Sequence, residues 1–375
     1  PGGTNTIPNL HLKAGKKLAN QIRPRNMAGA VDLENGKVVL LCLGSSVAGS
    51  TFEKFTELYQ DTATVNPCLV FANGAYGGKG LDAMVNAEDT SYWNHVFDFL
   101  DTFNVAYKQV QIVWLKNVSR TDTLITFPDQ PLAVKDKFKN IAQVIKDKFP
   151  NIKLLYLTGE HYGGYVPATN SNFKVLGEPV SYFNNWAVKW VIEDQINGDV
   201  NLSYKDPAVN APWMAWAHYA WADGSNERVT DGYNWLCPDD YTLSTGYHLS
   251  DTGKLKEAQL LYNYFAHNAV SKVWFLNGPK WTSCADTERE YAVLQKEFHI
   301  YPNPNKGIFT IDPGNMKTGE ISVSIYDHTG KIVYKTVAQN SGFSILIQAP
   351  SLRTGFYLCV AGSDGYTYTT PLIIE

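Results

Sequence analysis

No apolar run in this 375-residue chain approaches the roughly 18 residues that a membrane-spanning helix needs. No basic block occurs either. With 32 Lys and Arg against 36 Asp and Glu, the net charge is -4 and the pI is near 6.1, which argues against a nucleic-acid surface. Cysteine is scarce and odd in number, five in all, so the chain is no disulfide scaffold. Cys42 and Cys68 lie in apolar, strand-like runs and read as buried free thiols, and Cys359 lies near the C-terminus. Cys237 and Cys284 fall in loop-like sequence and are the candidates for a pair. No spacing resembles a metal site, and no motif calls for a cofactor. Repeats, low-complexity tracts and a signal peptide are all missing. The opening PGGTNTIPN is polar and turn-rich and reads as a mature N-terminus after processing.

What is present is a core-forming composition, 44% hydrophobic, with 22 Tyr, 17 Phe and 10 Trp. Many of the Tyr and Trp fall in polar stretches between Tyr156 and Trp235. That suits an extracellular protein handling carbohydrate, and equally a well-packed sheet protein. Short apolar runs at Val38–Leu43, Cys68–Asn73, Val110–Leu115, Ile152–Leu157 and Trp213–Trp221 read as buried strands. Between and after them, residues 51–59, 91–104, 131–149, 181–196 and 251–267 have helical periodicity. Residues 1–35 read as irregular apart from a short helix. Strand alternating with helix predicts a parallel, helix-covered sheet over residues 1–283. Near residue 285 the pattern changes. Residues 284–296 read as a linker, and 297–375 as short alternating strands broken by Gly, Pro and Asn-Pro, an all-β sandwich.

The first strand ends in Gly44-Ser45-Ser46 and is followed at once by a helix. Such a turn presents a hydroxyl at the C-terminal edge of a sheet, where open α/β sheets place their ligands. The plain alternative is a serine N-cap. About two hundred residues downstream, TGYHLSDTGK brings His248. A serine needs an adjacent base to lose its proton, and a developing oxyanion needs preorganised donors.

In this order the motifs resemble those of the SGNH (GDSL-like) hydrolases over about residues 36–268. Ser46 takes the nucleophile slot. NGAYGG carries Gly78 in the oxyanion-hole slot, and WLKN ends in Asn117, the third donor beside the Ser46 amide. Thr245-Gly246-Tyr247-His248 stands where that family has Asp-x-x-His. The resemblance implies a flavodoxin-like five-stranded parallel sheet and a serine esterase acting on a carbohydrate or small ester ligand, with His248 as base. Two departures stand out. Ser45 replaces the usual Asp, and Thr245 replaces the triad acid, whose loss costs about 10⁴ in rate. A hydroxyl at Thr245, or the carboxylate of Asp239 or Asp240, could orient His248. The competing expectation is a weakened or inactive pocket on a cell-surface binding or structural protein.

Other residues have two readings each. His161 and Glu160 follow the fourth strand and would contact substrate, or are ordinary loop residues. His218 lines the pocket or is a core histidine. Lys79 and Lys116 bind an acidic substrate or are solvated. Thr62 and Thr123 follow Asp in short Asp-Thr motifs and are candidate O-glycosylation sites. The C-terminal segment opens with YPNPNKGIF and ends in GFYLCVAG and PLIIE. It resembles the type A sorting domain of the type IX secretion system of Bacteroidota. This implies that residues 297–375 engage that machinery and that the protein is secreted or held at the outer cell surface.

Overall fold

Seven consecutive buried residues, Val38–Gly44, form β1, a strand with no polar side chain to turn toward water. Its alternate residues enter opposite layers. Val39, Leu41 and Leu43 join one hydrophobic cluster, while Val38, Leu40 and Cys42 join another, as the two-residue period of a strand requires. In the computed structural model, the described residues are 6–85, 90–122, 125–284, 299–312, 319–327, 331–340, 345–363 and 366–375. The chain divides into two units, Pro1–Ala285 and Asp286–Glu375.

In the first unit α1 (Asn9–Gln21) precedes β1. After β1 come α2 (Ser46–Tyr59), β2 (Leu69–Asn73), α3 (Leu81–Val85), α4 (Thr90–Thr102) and β3 (Val110–Lys116). Then follow α5 (Asp129–Lys148), β4 (Leu154–Thr158), α6 (Val180–Ile196), a small ribbon of β5 (Tyr204–Lys205) and β6 (Ala208–Val209), and β7 (Trp213–Trp216). The unit closes with α7 (Asp251–His267) and α8 (Lys272–Phe275). β2, β1, β3, β4 and β7 form one five-stranded sheet in that order, and every pairing is parallel. Residues of α3 to α6 pack in the first cluster. Those of α1, α2, α7 and α8 pack in the second. A sheet covered on both faces therefore places the C-terminal ends of β1, β3 and β4 along one edge.

Three expectations are corrected here. The fifth strand stops at Trp216, not Trp221. Beyond it the carbonyls of Tyr219 and Trp221 accept from the Arg228 guanidinium, at 2.6 and 3.1 Å, instead of from a neighbouring strand. Cys237 is a free, exposed thiol and Cys42 and Cys359 are free and buried, whereas Cys68 is disulfide-bonded. The expected Cys237 pairing and the expected free Cys68 are thus both overturned. Residues 285–296 of the expected linker lie outside the described residues.

The second unit is all β. β8 (His299–Tyr301), β9 (Ile308–Asp312) and β12 (Ile345–Gln348) make a three-stranded sheet. β10 (Gly319–Tyr326), β11 (Ile332–Asn340), β13 (Gly355–Ser363) and β14 (Tyr366–Ile374) make a four-stranded one. All their pairings are antiparallel. Alternate residues, among them Phe309, Ile311, Val323, Ile325, Ile347 and Cys359, close a shared core between the two.

Candidate active site

The turn after β1 is built around Gly44. Its φ is +149°, and a Cβ there would lie 2.1 Å from the Lys116 carbonyl oxygen and 2.6 Å from the Ala48 methyl. Only glycine fits. Tyr92 of α4 clamps this residue from behind: its hydroxyl accepts from Gly44 N at 2.9 Å and donates to Gly44 O at 3.2 Å. Ser45 is extended and makes no side-chain cap. The first helical bond of α2 runs from Gly49 N to Ser45 O, 3.0 Å. The amides of Ser46, Val47 and Ala48 are therefore left without intrahelical acceptors, at the positive end of the helix dipole.

His248 arrives from the loop before α7. Its Nε2 lies 2.9 Å from Ser46 Oγ. The loop is held through its backbone. Thr242 N and Thr242 Oγ1 donate to His248 O at 2.8 and 3.2 Å. Gly246 turns with φ +60°, where a Cβ would meet Tyr165 O at 2.0 Å. The Phe173 ring packs edge-on against the imidazole, centroids 4.9 Å apart. Burial lowers the His248 pKa below its ordinary 6.5, and the neighbouring His161, Arg120 and Lys254 push the same way. The ring is thus held neutral near pH 7, with Nε2 facing the serine.

The other residues singled out from sequence are placed differently. Thr245 does not orient the ring. Its hydroxyl accepts from the amides of Tyr247 and His248, at 3.2 and 2.9 Å, so it serves the turn. Asp240 accepts from Leu236 N at 2.7 Å and pairs with Lys256 at 2.6 Å, a loop brace with no bond to His248. Asp239 offers its carbonyl to Ser250 Oγ. Asn117 lines the small cavity beside Ser46, but its amide donates to Lys79 O (3.2 Å) and Met84 Sδ (3.1 Å). Gly78 takes φ +78° in a tight turn closed by Lys79 N to Tyr76 O. The backbone nearer the serine is Gly77, whose Cβ would lie 3.9 Å from Ser46 Cβ. Lys79 reaches Ser91 Oγ, 3.2 Å away, and does not line the cavity.

His161 is fully buried and cannot touch a substrate from outside. It belongs to a charge network beneath the site. Its Nε2 donates to Tyr247 O at 2.8 Å, and its Nδ1 lies between Lys116 Nζ, at 3.3 Å, and Glu160 Oε2, at 3.4 Å. Lys116, 1% exposed, pairs with the fully buried Glu257 at 2.5 Å. Glu257 also receives His218 Nε2 at 3.2 Å and Thr51 Oγ1 at 3.1 Å. Glu160 accepts from the Tyr247 hydroxyl at 2.8 Å. Burial opposes a charged Glu160, but Lys116 beside it and the contacts of His161 and Tyr247 hold its pKa below 4.5. Lys116 is therefore not solvated: its ammonium is tied to Glu257, while the residue borders the cavity beside Ser46, and His218 is a core histidine. Glu257, Arg120 and Phe173 were missed from sequence. The available signal was Glu257 on the apolar face of α7, beside buried Gly253, Ala258 and Leu261.

Thr62, a candidate glycosylation site, is half-buried, and its hydroxyl donates to Tyr59 O at 3.1 Å. Thr123 lies outside the described residues. Among the described residues no group of His, Cys, Asp and Glu could hold a metal ion, and no helix is long and apolar enough to cross a membrane.

Residues 299–375 match the family model of the secretion system C-terminal sorting domain. This is the type IX sorting tail, and it marks the protein as one that engages that machinery and is secreted or displayed at the cell surface. The match includes none of the first unit. No curated protein matches the chain. Solved structures with some likeness include a gut microbial diltiazem-metabolizing enzyme, at 12% identity and TM-score 0.37, covering 84% of this chain and 73% of that one. Another is Bacteroides uniformis beta-glucuronidase 2, at 10% identity and TM-score 0.27, covering 75% of this chain and 40% of that one. CopC from Methylosinus trichosporium OB3b gives 20% identity and TM-score 0.16 over 19% of this chain and 76% of its own. At these TM-scores none carries an argument about fold or activity.

Proposed function

We propose that the first unit is an SGNH-type ester hydrolase domain of flavodoxin-like fold, exported by the type IX route and directed at O-acylated carbohydrate. The observation that carries the reading is the 2.9 Å approach of His248 Nε2 to Ser46 Oγ. It stands at the C-terminal edge of a parallel sheet ordered β2-β1-β3-β4-β7, and that order supports the flavodoxin-like assignment. Neutral His248 takes the Ser46 proton as the oxygen attacks the ester carbonyl. The oxyanion forms in front of the unpartnered amides at the start of α2, which also carry the helix dipole. Protonated His248 then gives its proton to the leaving alcohol, and water repeats the sequence on the acyl-enzyme.

A second reading has one specific observation in its favour. Neither Thr245 nor Asp240, two of the three groups expected to orient the ring, bonds to His248 Nδ1. An imidazolium without a carboxylate partner is poorly stabilised, and the deficit reaches about 10⁴ in rate. On that reading the site binds an acylated ligand without turning it over. Hydrolysis of 4-nitrophenyl acetate and butyrate separates the two. The enzyme reading expects Ser46→Ala and His248→Ala to fall to the background rate. Equal rates in wild type and both variants would refute it.

A further inference from the structure

Three charged residues, Lys116, Arg120 and Glu160, border the cavity beside Ser46. Two of them answer charges inside the protein. The Lys116 ammonium is tied to Glu257, and the Glu160 carboxylate to the Tyr247 hydroxyl and the His161 ring. Lys254, another cation acting on His248, pairs with Asp251 at 3.0 Å. Arg120 differs. Among the described residues no carboxylate pairs with its guanidinium, which donates from Nη2 to Asn172 O at 3.2 Å. Asp82 accepts from the Arg120 backbone amide at 3.1 Å. Its charge, like that of Asp122, is nevertheless taken by Lys137, at 2.7 Å in each case.

The arginine is also held in place. Its stem lies along Gly80, where a Cβ would meet Arg120 Cγ at 2.9 Å and Cδ at 3.3 Å. Glycine leaves room for the stem there, Asp82 holds the main chain, and Asn172 O receives one end of the guanidinium. The group is half-buried, and its charge reaches the reacting pair, since it helps to keep the His248 ring neutral.

These features select a ligand class. A guanidinium carries five N–H donors in a planar fork, and a carboxylate accepts two of them side by side. A neutral ester leaves that charge to water. A phosphate carries nearly two negative charges, more than one guanidinium answers, and Glu160 already places one on the same cavity. We propose that Arg120 binds a carboxylate of the substrate, so that the Ser46 site prefers acidic esters to neutral ones, a role that rests on the ester-hydrolase reading of that site. The carboxylate belongs either to the alcohol part, as in an O-acylated uronic acid, or to the acyl part, as in a dicarboxylic half-ester.

Two pairs of esters, assayed on the full chain, separate these sources. O-acetylated methyl galacturonoside against O-acetylated methyl galactoside places the charge on the sugar. 4-Nitrophenyl hemisuccinate against 4-nitrophenyl butyrate places it on the acyl group. In one pair the acidic member should have a kcat/KM roughly ten- to hundred-fold higher, the worth of a charge-assisted bond. Arg120→Gln, with folding checked by circular dichroism, should bring that ratio to within about two-fold of one, and Arg120→Lys should restore part of it. Ester hydrolysis with no acidic preference in either pair, or with a preference that survives Arg120→Gln, would overturn the role of Arg120 and leave the hydrolase reading standing. If no ester is turned over, the hydrolase reading fails, and saturation-transfer NMR with the same four compounds decides the rest. Binding of an acidic member that Arg120→Gln weakens at least ten-fold would support the carboxylate site, and equal binding of acidic and neutral members, or none, would overturn it.

Discussion

Replacing Glu257 with Gln should strip the first unit of much of its stability. The carboxylate is fully buried and receives Lys116 at 2.5 Å, His218 at 3.2 Å and Thr51 at 3.1 Å. Glutamine keeps the shape and an oxygen for Thr51, but it leaves the Lys116 ammonium, 1% exposed, without its closest counter-charge. Breaking a buried ion pair from one side costs about 3–5 kcal/mol, and a neutral pair of similar volume avoids most of that cost. The double variant Lys116→Met with Glu257→Gln should therefore be more stable than Glu257→Gln alone. All ten tryptophans precede residue 282, so tryptophan emission in urea reports the first unit. With a urea slope of about 2–3 kcal/mol/M, the single variant should lower the midpoint by about 1–2 M.

The same residue sets a pH dependence. Burial alone would raise the Glu257 pKa, but Lys116 and then His218 hold it far below 4.5. A depressed acid pKa contributes stability that is complete above the unfolded value and is lost as pH falls below it. The gap between wild type and Glu257→Gln should therefore be constant from pH 7 to about pH 5 and shrink below pH 4.5. A single variant within about 0.5 kcal/mol of wild type, as for an ordinary surface change, would refute the reasoning. So would a double variant less stable than the single one.

Further outcomes concern the site itself. Because burial and nearby cations lower the His248 pKa, the acidic limb of kcat/KM for ester hydrolysis should fall below pH 6.5, and a limb above 6.5 would contradict the assigned environment. Tyr92→Phe leaves Gly44 N without its acceptor and removes one of the two donors to Gly44 O, the other being Tyr76 N, so it should cost about 1–3 kcal/mol in urea and lower kcat by loosening the turn that carries Ser46. Thr245→Asp can still accept from the amides of Tyr247 and His248 while adding a negative charge beside the imidazole. It should raise ester hydrolysis about ten-fold, equal to about 1.4 kcal/mol, and move the acidic limb upward, whereas a folded variant with neither change would show that Thr245 lies too far from the ring to matter.

The parts legible in the sequence were those set by local pattern. Val38–Gly44 and Val110–Lys116 could be read as buried strands because every residue in them is buried. Ser46 could be read at the head of a helix because glycine ends the strand before it. Less legible was anything decided by a partner far along the chain. Lys116 ends an apolar strand and looks like a solvated lysine until Glu257, 141 residues away, is packed against it. His161 looks like a substrate contact until Tyr247 O, 86 residues on, covers it. Thr245 stood in the triad-acid slot of the motif, yet two local amides claim its hydroxyl first, the usual competition of a short polar side chain with nearby backbone. Asn117 was read from order along the sheet, which gives its position but not the direction of its amide.

Together these contacts say how His248 is aimed. Tyr247, the residue before it, is fixed at both ends: its carbonyl by His161 and its hydroxyl by Glu160. Thr242 and Thr245 fix the His248 main chain, and Phe173 packs on the ring. The imidazole is thus positioned through backbone and packing, with neither Thr245 nor Asp240 bonded to the ring. That arrangement supplies a ready base, because the ring is neutral, but a costly conjugate acid, because burial and then the surrounding cations disfavour imidazolium. Proton removal from Ser46 and proton delivery to the leaving group are affected unequally. An aryl ester expels its alcohol with little help from an acid, while an alkyl ester depends on that proton. The proposed hydrolase should therefore favour aryl over alkyl esters more strongly than a complete triad would. Thr245→Asp should narrow that preference by accelerating alkyl esters more than aryl ones.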